Sequence, residues 1–129
     1  MRCILAPLIR WPNSLCHYTK SDYRSWGDPR LQGDNYEKNL LLLNVIKSIA
    51  FELDATPAQI AIAWLLHQGY DIVPIPGCRK VHHLEDNLGA ISLTLSDEQL
   101  ATLSHLTSKI GVAGDRYSKE LLKFTDRQQ

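Results

Sequence analysis

The chain has 129 residues, the size of one ordinary domain or part of a larger one, and 44% of them are hydrophobic. Fourteen Lys and Arg balance fourteen Asp and Glu, which excludes the basic excess expected of a binder of nucleic acid or of an anionic membrane surface. The three cysteines, Cys3, Cys16 and Cys78, are odd in number and widely spaced, which argues against a disulfide framework and for a reducing compartment.

The opening "MRCILAPLIRW" is short and broken by Pro7, too interrupted for a secretory signal, so a cytoplasmic protein is the expectation. Cys3 to Leu8 can form a short strand. Residues 1–34 otherwise read as irregular, punctuated by Pro7, Pro12, Gly27, Pro29 and Gly33, and "SDYRSWGDPRLQGDN" reads as an extended surface loop. A helix follows, with Asp34 or Asn35 as N-cap. Tyr36, Leu40, Leu43, Ile46, Ala50 and Leu53 recur at steps of three and four, and Leu41, Leu42, Val45 and Ile49 widen the stripe. So broad an apolar surface calls for neighbours on more than one side. Asn44 and Lys47 interrupt it, so no membrane span is expected.

"TPAQ", Thr56 to Gln59, carries a capping box with Pro57 at the first helical position, and starts a helix that Gly69 ends. Next comes "DIVPIPGCRKVHHLEDNLGA", residues 71 to 90. Asp71 to Ile75 reads as a short buried strand, Gly77 to Lys80 as a tight basic turn, and Val81 to Leu88 as a helix closed by Gly89. "ISLTL" alternates weakly and is expected to be extended. Ser96 to Gln99 is a second capping box, with Leu100, Leu103 and Leu106 as the apolar side of its helix, and a last short helix starts at Ser118. Two or three short strands among this much helix point to a slice of an α/β protein.

The chemistry is concentrated in the turn. A strand feeding a basic turn at a helix start is a place to hold a phosphate: backbone amides, Arg79 and Lys80 face the anion and the helix dipole adds partial positive charge. The same charges are also ordinary in a solvated loop. Neither G-x-G-x-x-G nor a P-loop is present. Cys78 can be a thiolate favoured by its basic neighbours, or a small turn filler. His17, His67, His82, His83 and His105 show no metal-ligand spacing, so no metal site is expected. No nucleophile elbow occurs, and Asp115, Arg116 and Tyr117 are explained by loop solubility.

The stretch "TPAQIAIAWLLHQGYDIVPIPGCRKVHHLEDNLGAISLTLSDEQLATL" resembles the C-terminal part of an aldo-keto reductase. "DPRLQGDNYEKNLLLLNVIKSIA" and "GVAGDRY" resemble the preceding loop and helix and the tail of that family's stand-alone aldehyde and ketone reductases. The resemblance covers about residues 22 to 122. It implies a (β/α)8 barrel that binds NADP(H) at its C-terminal rim and passes hydride to a carbonyl. Gly77, Cys78, Arg79 and Lys80 match the loop that grips the adenosine 2′-phosphate, with Cys78 in the place of a Ser or Thr. His83 stands where many members have Arg. Asp86 and Asn87 match the acid–Asn pair at the adenine. A thiol bonds more weakly than a hydroxyl, and a neutral His lacks the charge and fork of Arg, so weak NADP(H) binding is expected. At the start, Pro7 and Leu8 match a family strand, whereas Ala6 and Ile9 depart from its Ser and Gly.

The catalytic Asp, Tyr, Lys and His of the family come from its first four strands, and no residue here matches them. The resemblance therefore implies residues 1–129 as the C-terminal segment of a partial TIM barrel: a loop region at 1–34, then helices, the last barrel strand and closing helices at 35–129. It also implies a truncated chain that is inactive alone and meets a carbonyl substrate only in a complete barrel. The alternative is a non-catalytic cofactor-binding or interaction module that completes a barrel with another chain. On either reading, the exposed strand edges and apolar helix faces of the isolated chain are expected to favour self-association.

Overall fold

The computed structural model describes residues 19–115 and 117–124; the expected Cys3 to Leu8 strand lies outside them. The described residues are mostly helical and contain no strand. They fall into two compact units, residues 42–111 and residues 19–41 with 112–124. No single helix among them is long and apolar enough to cross a membrane.

The first unit is built on the second half of α2 (Gly33–Glu52), on α3 (Pro57–Leu66) and on α5 (Asp97–His105). Its core gathers Ile46, Ile49 and Ala50 from α2, Ile60, Ala61, Ala63, Trp64 and Leu65 from α3, then Leu95 and Leu103. The wide apolar stripe on α2 is satisfied here in part: Leu42, Leu43, Ile46 and Ile49 are buried, while Leu41 and Phe51 are exposed. The turn from α2 to α3 is fixed on both sides. At the end of α2, the Asp54 amide donates to Phe51 O and the Ala55 amide to Ala50 O at 2.8 Å, with Asp54 at φ 48°; this is a Schellman motif with Asp where Gly is commonest. Two residues later the expected box closes: the Gln59 amide donates to Thr56 Oγ1 at 3.2 Å, and the Thr56 amide to Gln59 Oε1 at 2.8 Å. The Ser96–Gln99 box forms in the same way at α5, and Gln99 also reaches Glu52 at 3.1 Å. α5 runs on into a π-type turn, Leu106–Ile110.

Three readings of the sequence need correction. Asp71 to Ile75 forms no strand: Val73 and Ile75 are 80% and 94% exposed. Pro74 removes a ladder donor, and no described segment pairs with the rest. "ISLTL" starts as the 3-10 turn Ala90–Ser92, with Leu93 extended and Leu95 buried behind it. Asp34 and Asn35 are inside α2 rather than capping it; the helix starts at Gly33, φ 48°, and the Asn35 and Tyr36 amides bond Gln32 O.

The second unit corrects the extended loop at 21–35 as well. It holds α1 (Tyr23–Trp26) and a 3-10 turn at Pro29–Leu31, each capped by an aspartate: Asp22 accepts the Arg24 amide and Asp28 the Arg30 amide, both at 3.0 Å. Arg24 also grips Asp22 through its guanidinium at 2.6 Å, and chiefly this bond lowers the Asp22 pKa to about 2. The short α6 (Lys119–Leu122) begins after Ser118, as expected.

Candidate functional site

The candidate site is the turn at Gly77–Lys80 with α4 (Val81–Gly89) behind it. α4 packs along α3 and the 3-10 turn that follows it. Gly89 has an ordinary helical φ of −56°. Its smallness serves packing, because a Cβ there would collide with the Gln59 side-chain amide of the α3 box.

Gly77, Cys78, Arg79 and Lys80 are all exposed. Lys80 is the N-cap, with extended φ −134° and ψ 149°, and no side chain caps the helix. Lys80 O accepts the His83 and Leu84 amides, at 3.1 and 3.3 Å. The uncapped helix start thus stands beside two cations, Arg79 and Lys80, that make no ion pair among the described residues. Such a set suits a phosphate monoester: a helix start with no side-chain cap, a positive dipole end and two side chains able to reach round the anion. Cys78 is a free, exposed thiol.

On α4, His83, Asp86 and Asn87 share one face at steps of three and four. His83 and Asn87 are half-buried and Asp86 is exposed. The His83 ring stands edge-on to His82, with centroids 4.2 Å apart. Val81, Leu84 and Leu88 occupy a different face and are 73%, 47% and 53% exposed. The seven residues selected from the sequence are therefore contiguous in space as one turn and one helix face. Among the described residues, no group of three or more His, Cys, Asp or Glu is placed to hold a metal ion.

A family model described as "Aldo/keto reductase family" matches residues 15–107. The chain belongs to the aldo/keto reductase family. It is 41% identical over 97 residues to a probable aldo-keto reductase 1 from Glycine max, covering 75% of this chain and 28% of that protein. It is 41% identical over 100 residues to "Aldo-keto reductase yakc [NADP(+)]" from Schizosaccharomyces pombe, covering 78% and 29%. A third aldo-keto reductase, str7 from Strobilurus tenacellus, is 36% identical over 91 residues, covering 70% and 27%. The chain thus spans less than a third of the length of these relatives. No solved structure matches it.

What sequence reasoning missed lies in the other unit. Trp26, Gly27, Pro29, Gln32, Ser118, Lys119 and Glu120 line a cavity of about 390 Å³. The Glu120 carboxylate is held below its usual pKa by its own backbone amide and by the Ser118 hydroxyl. The aspartate caps at Asp22 and Asp28, the latter followed by Pro29, were the signal for the structure around it.

Proposed function

We propose that residues 71–90 are the adenosine-end grip for NADP(H) in an aldo-keto reductase barrel, of which this chain is the C-terminal part. Arg79, Lys80 and the amides at Gly77–Cys78 would hold the 2′-phosphate; His83, Asp86 and Asn87 would face the adenine. When bound, the dinucleotide supplies hydride for reduction of an aldehyde or ketone. The residues that would direct that hydride, an Asp, Tyr, Lys and His in the family pattern, have no counterpart in this sequence, so we assign the chain binding rather than catalysis. The observation that carries the proposal is the uncapped start of α4 beside two cations with no ion pair among the described residues, in a chain of this family.

The apolar surface supports the partial barrel. Val73, Ile75, Val81, Leu84, Leu88 and Ile91 are all largely exposed within twenty residues of one another, and further barrel elements would cover them. In isolation the same surface favours self-association.

Titrating the 129-residue chain with NADPH and NADH, followed by nicotinamide fluorescence, tests the grip. A charge-assisted hydrogen bond is worth about 1.5–3 kcal/mol. Weak binding is expected that prefers NADPH, with the preference falling roughly tenfold or more in Arg79→Ala and Lys80→Ala. Equal affinity for the two cofactors, or indifference to both substitutions, would refute the assignment. Turnover of a carbonyl substrate by the chain alone would refute the division of labour.

A further inference from the structure

The second unit contains a buried side chain that the cofactor reading does not use. Asn39 on α2 is 0% exposed. Its Nδ2 donates to Arg30 O at 3.0 Å and to Ala113 O at 2.9 Å, while its Oδ1 accepts the Ala113 amide at 2.8 Å. The two bonds to Ala113 pair a side-chain amide with a main-chain peptide group, as two facing strand residues pair. The reverse amide orientation would set Oδ1 against two carbonyl oxygens, so the network fixes the orientation. No other side chain of this size fits. Aspartate lacks the two donors, and glutamine carries its amide one carbon further out.

The neighbouring groups close on the same point. Gly114 has φ +89°, and a Cβ there would meet Pro29 O at 2.8 Å and Asn35 Nδ2 at 2.9 Å. Asn35 Nδ2 donates to Pro29 O at 3.0 Å, and Arg30 Nε to Gly114 O at 3.3 Å. Ala113 and Gly114 are therefore seated on the 3-10 turn by side chains of α2 and of the turn itself. The cavity beside them takes one wall from Trp26, Gly27, Pro29 and Gln32 and the other from Ser118, Lys119 and Glu120.

We infer that Asn39 is a positioning residue for this cavity: its amide clamps Ala113 to the Arg30 carbonyl and so sets how far apart the two walls stand. The clamp acts at a distance in sequence, joining positions 74 residues apart. Removing it frees the tail wall while the core of the first unit keeps its packing.

Amide hydrogen exchange and resonance shifts, measured by NMR on the full chain, test this. In Asn39→Ala the Ala113 amide loses its acceptor, and its exchange is expected to accelerate about tenfold or more. The Trp26 indole and Ser118–Glu120 resonances are expected to shift, while α3 amides keep their protection. Gly114→Ala attacks the clamp from the other side, through Pro29 O and the Asn35 side chain while Asn39 itself is kept, and the same wall resonances are expected to move. Unchanged wall resonances in Gly114→Ala would overturn the inference. So would loss of α3 protection in step with Ala113 in Asn39→Ala, which would make Asn39 a general fold residue.

Discussion

α3 and α4 are neighbours in one unit, ten and nine residues long, and they do opposite things. α3 buries every residue from Ile60 to Leu65; α4 buries none. α3 enters through a closed capping box, whereas α4 enters with no side-chain cap. The difference separates holding the fold from presenting a surface. α3 is apolar nearly all round, so it fixes its neighbours through packing. α4 keeps one apolar face uncovered, carries His83 and Asn87 half-buried on another, and enters without a side-chain cap.

The largest effects should fall on α3. Ile60 is fully buried and Leu84 is 47% exposed. Ile60→Ala removes packing from all sides and is expected to cost about 2–5 kcal/mol. Leu84→Ala is expected to change stability by less than about 0.5 kcal/mol. Urea unfolding followed by far-UV circular dichroism checks both. A large loss in Leu84→Ala would mean that α4 is covered in solution, by a second copy or another surface, and concentration dependence of the midpoint would identify self-association.

This contrast also explains what could be read from the amino-acid pattern. The helices were legible because their signals are local: Thr56–Pro57–Gln59 and Ser96–Gln99 carry their capping partners three residues away. The seven candidate site residues rest on the family pattern and lie on one turn and one helix. Asp71 to Ile75 was not legible, because a strand is a statement about a neighbour, and an apolar run cannot name one. The aspartate caps at 22 and 28 carried a local signal, but Gly27, Pro29 and Gly33 around them read as loop. Asn39 was illegible for the same reason as the strand: its meaning is a pair of peptide groups 9 and 74 residues distant.

The entry to α3 can be broken or improved. Thr56→Ala opens the capping box and is expected to cost about 1 kcal/mol, read as a lower urea midpoint with unchanged slope. Asp54 works in the other direction. Its φ of 48° lies in the left-handed region, where a Cβ is penalised and glycine is not. Greater freedom of glycine in the unfolded chain offsets part of the gain. Asp54→Gly is therefore expected to stabilise the first unit by about 0.5 kcal/mol. A destabilised Asp54→Gly variant would show that the Asp54 side chain stabilises the turn more than its backbone strain costs.

A small and local stability effect, at Lys80, bears most directly on why the two helices differ. Lys80 occupies the N-cap of α4 yet cannot accept a hydrogen bond from the helix amides. Serine can, so Lys80→Ser is expected to stabilise the start of α4 by a few tenths of a kcal/mol to about 1 kcal/mol. That gain appears as slower exchange at the Val81 to His83 amides. The same substitution removes a proposed phosphate contact, the Lys80 cation, and sets a hydroxyl over the helix start, so NADPH affinity should fall while the helix firms. Both shifts together would show that α4 is left uncapped at a cost in local stability because its amides serve a ligand. Firmer amides with unchanged NADPH affinity would make the missing cap an accident of sequence, and α4 simply a weaker helix than α3.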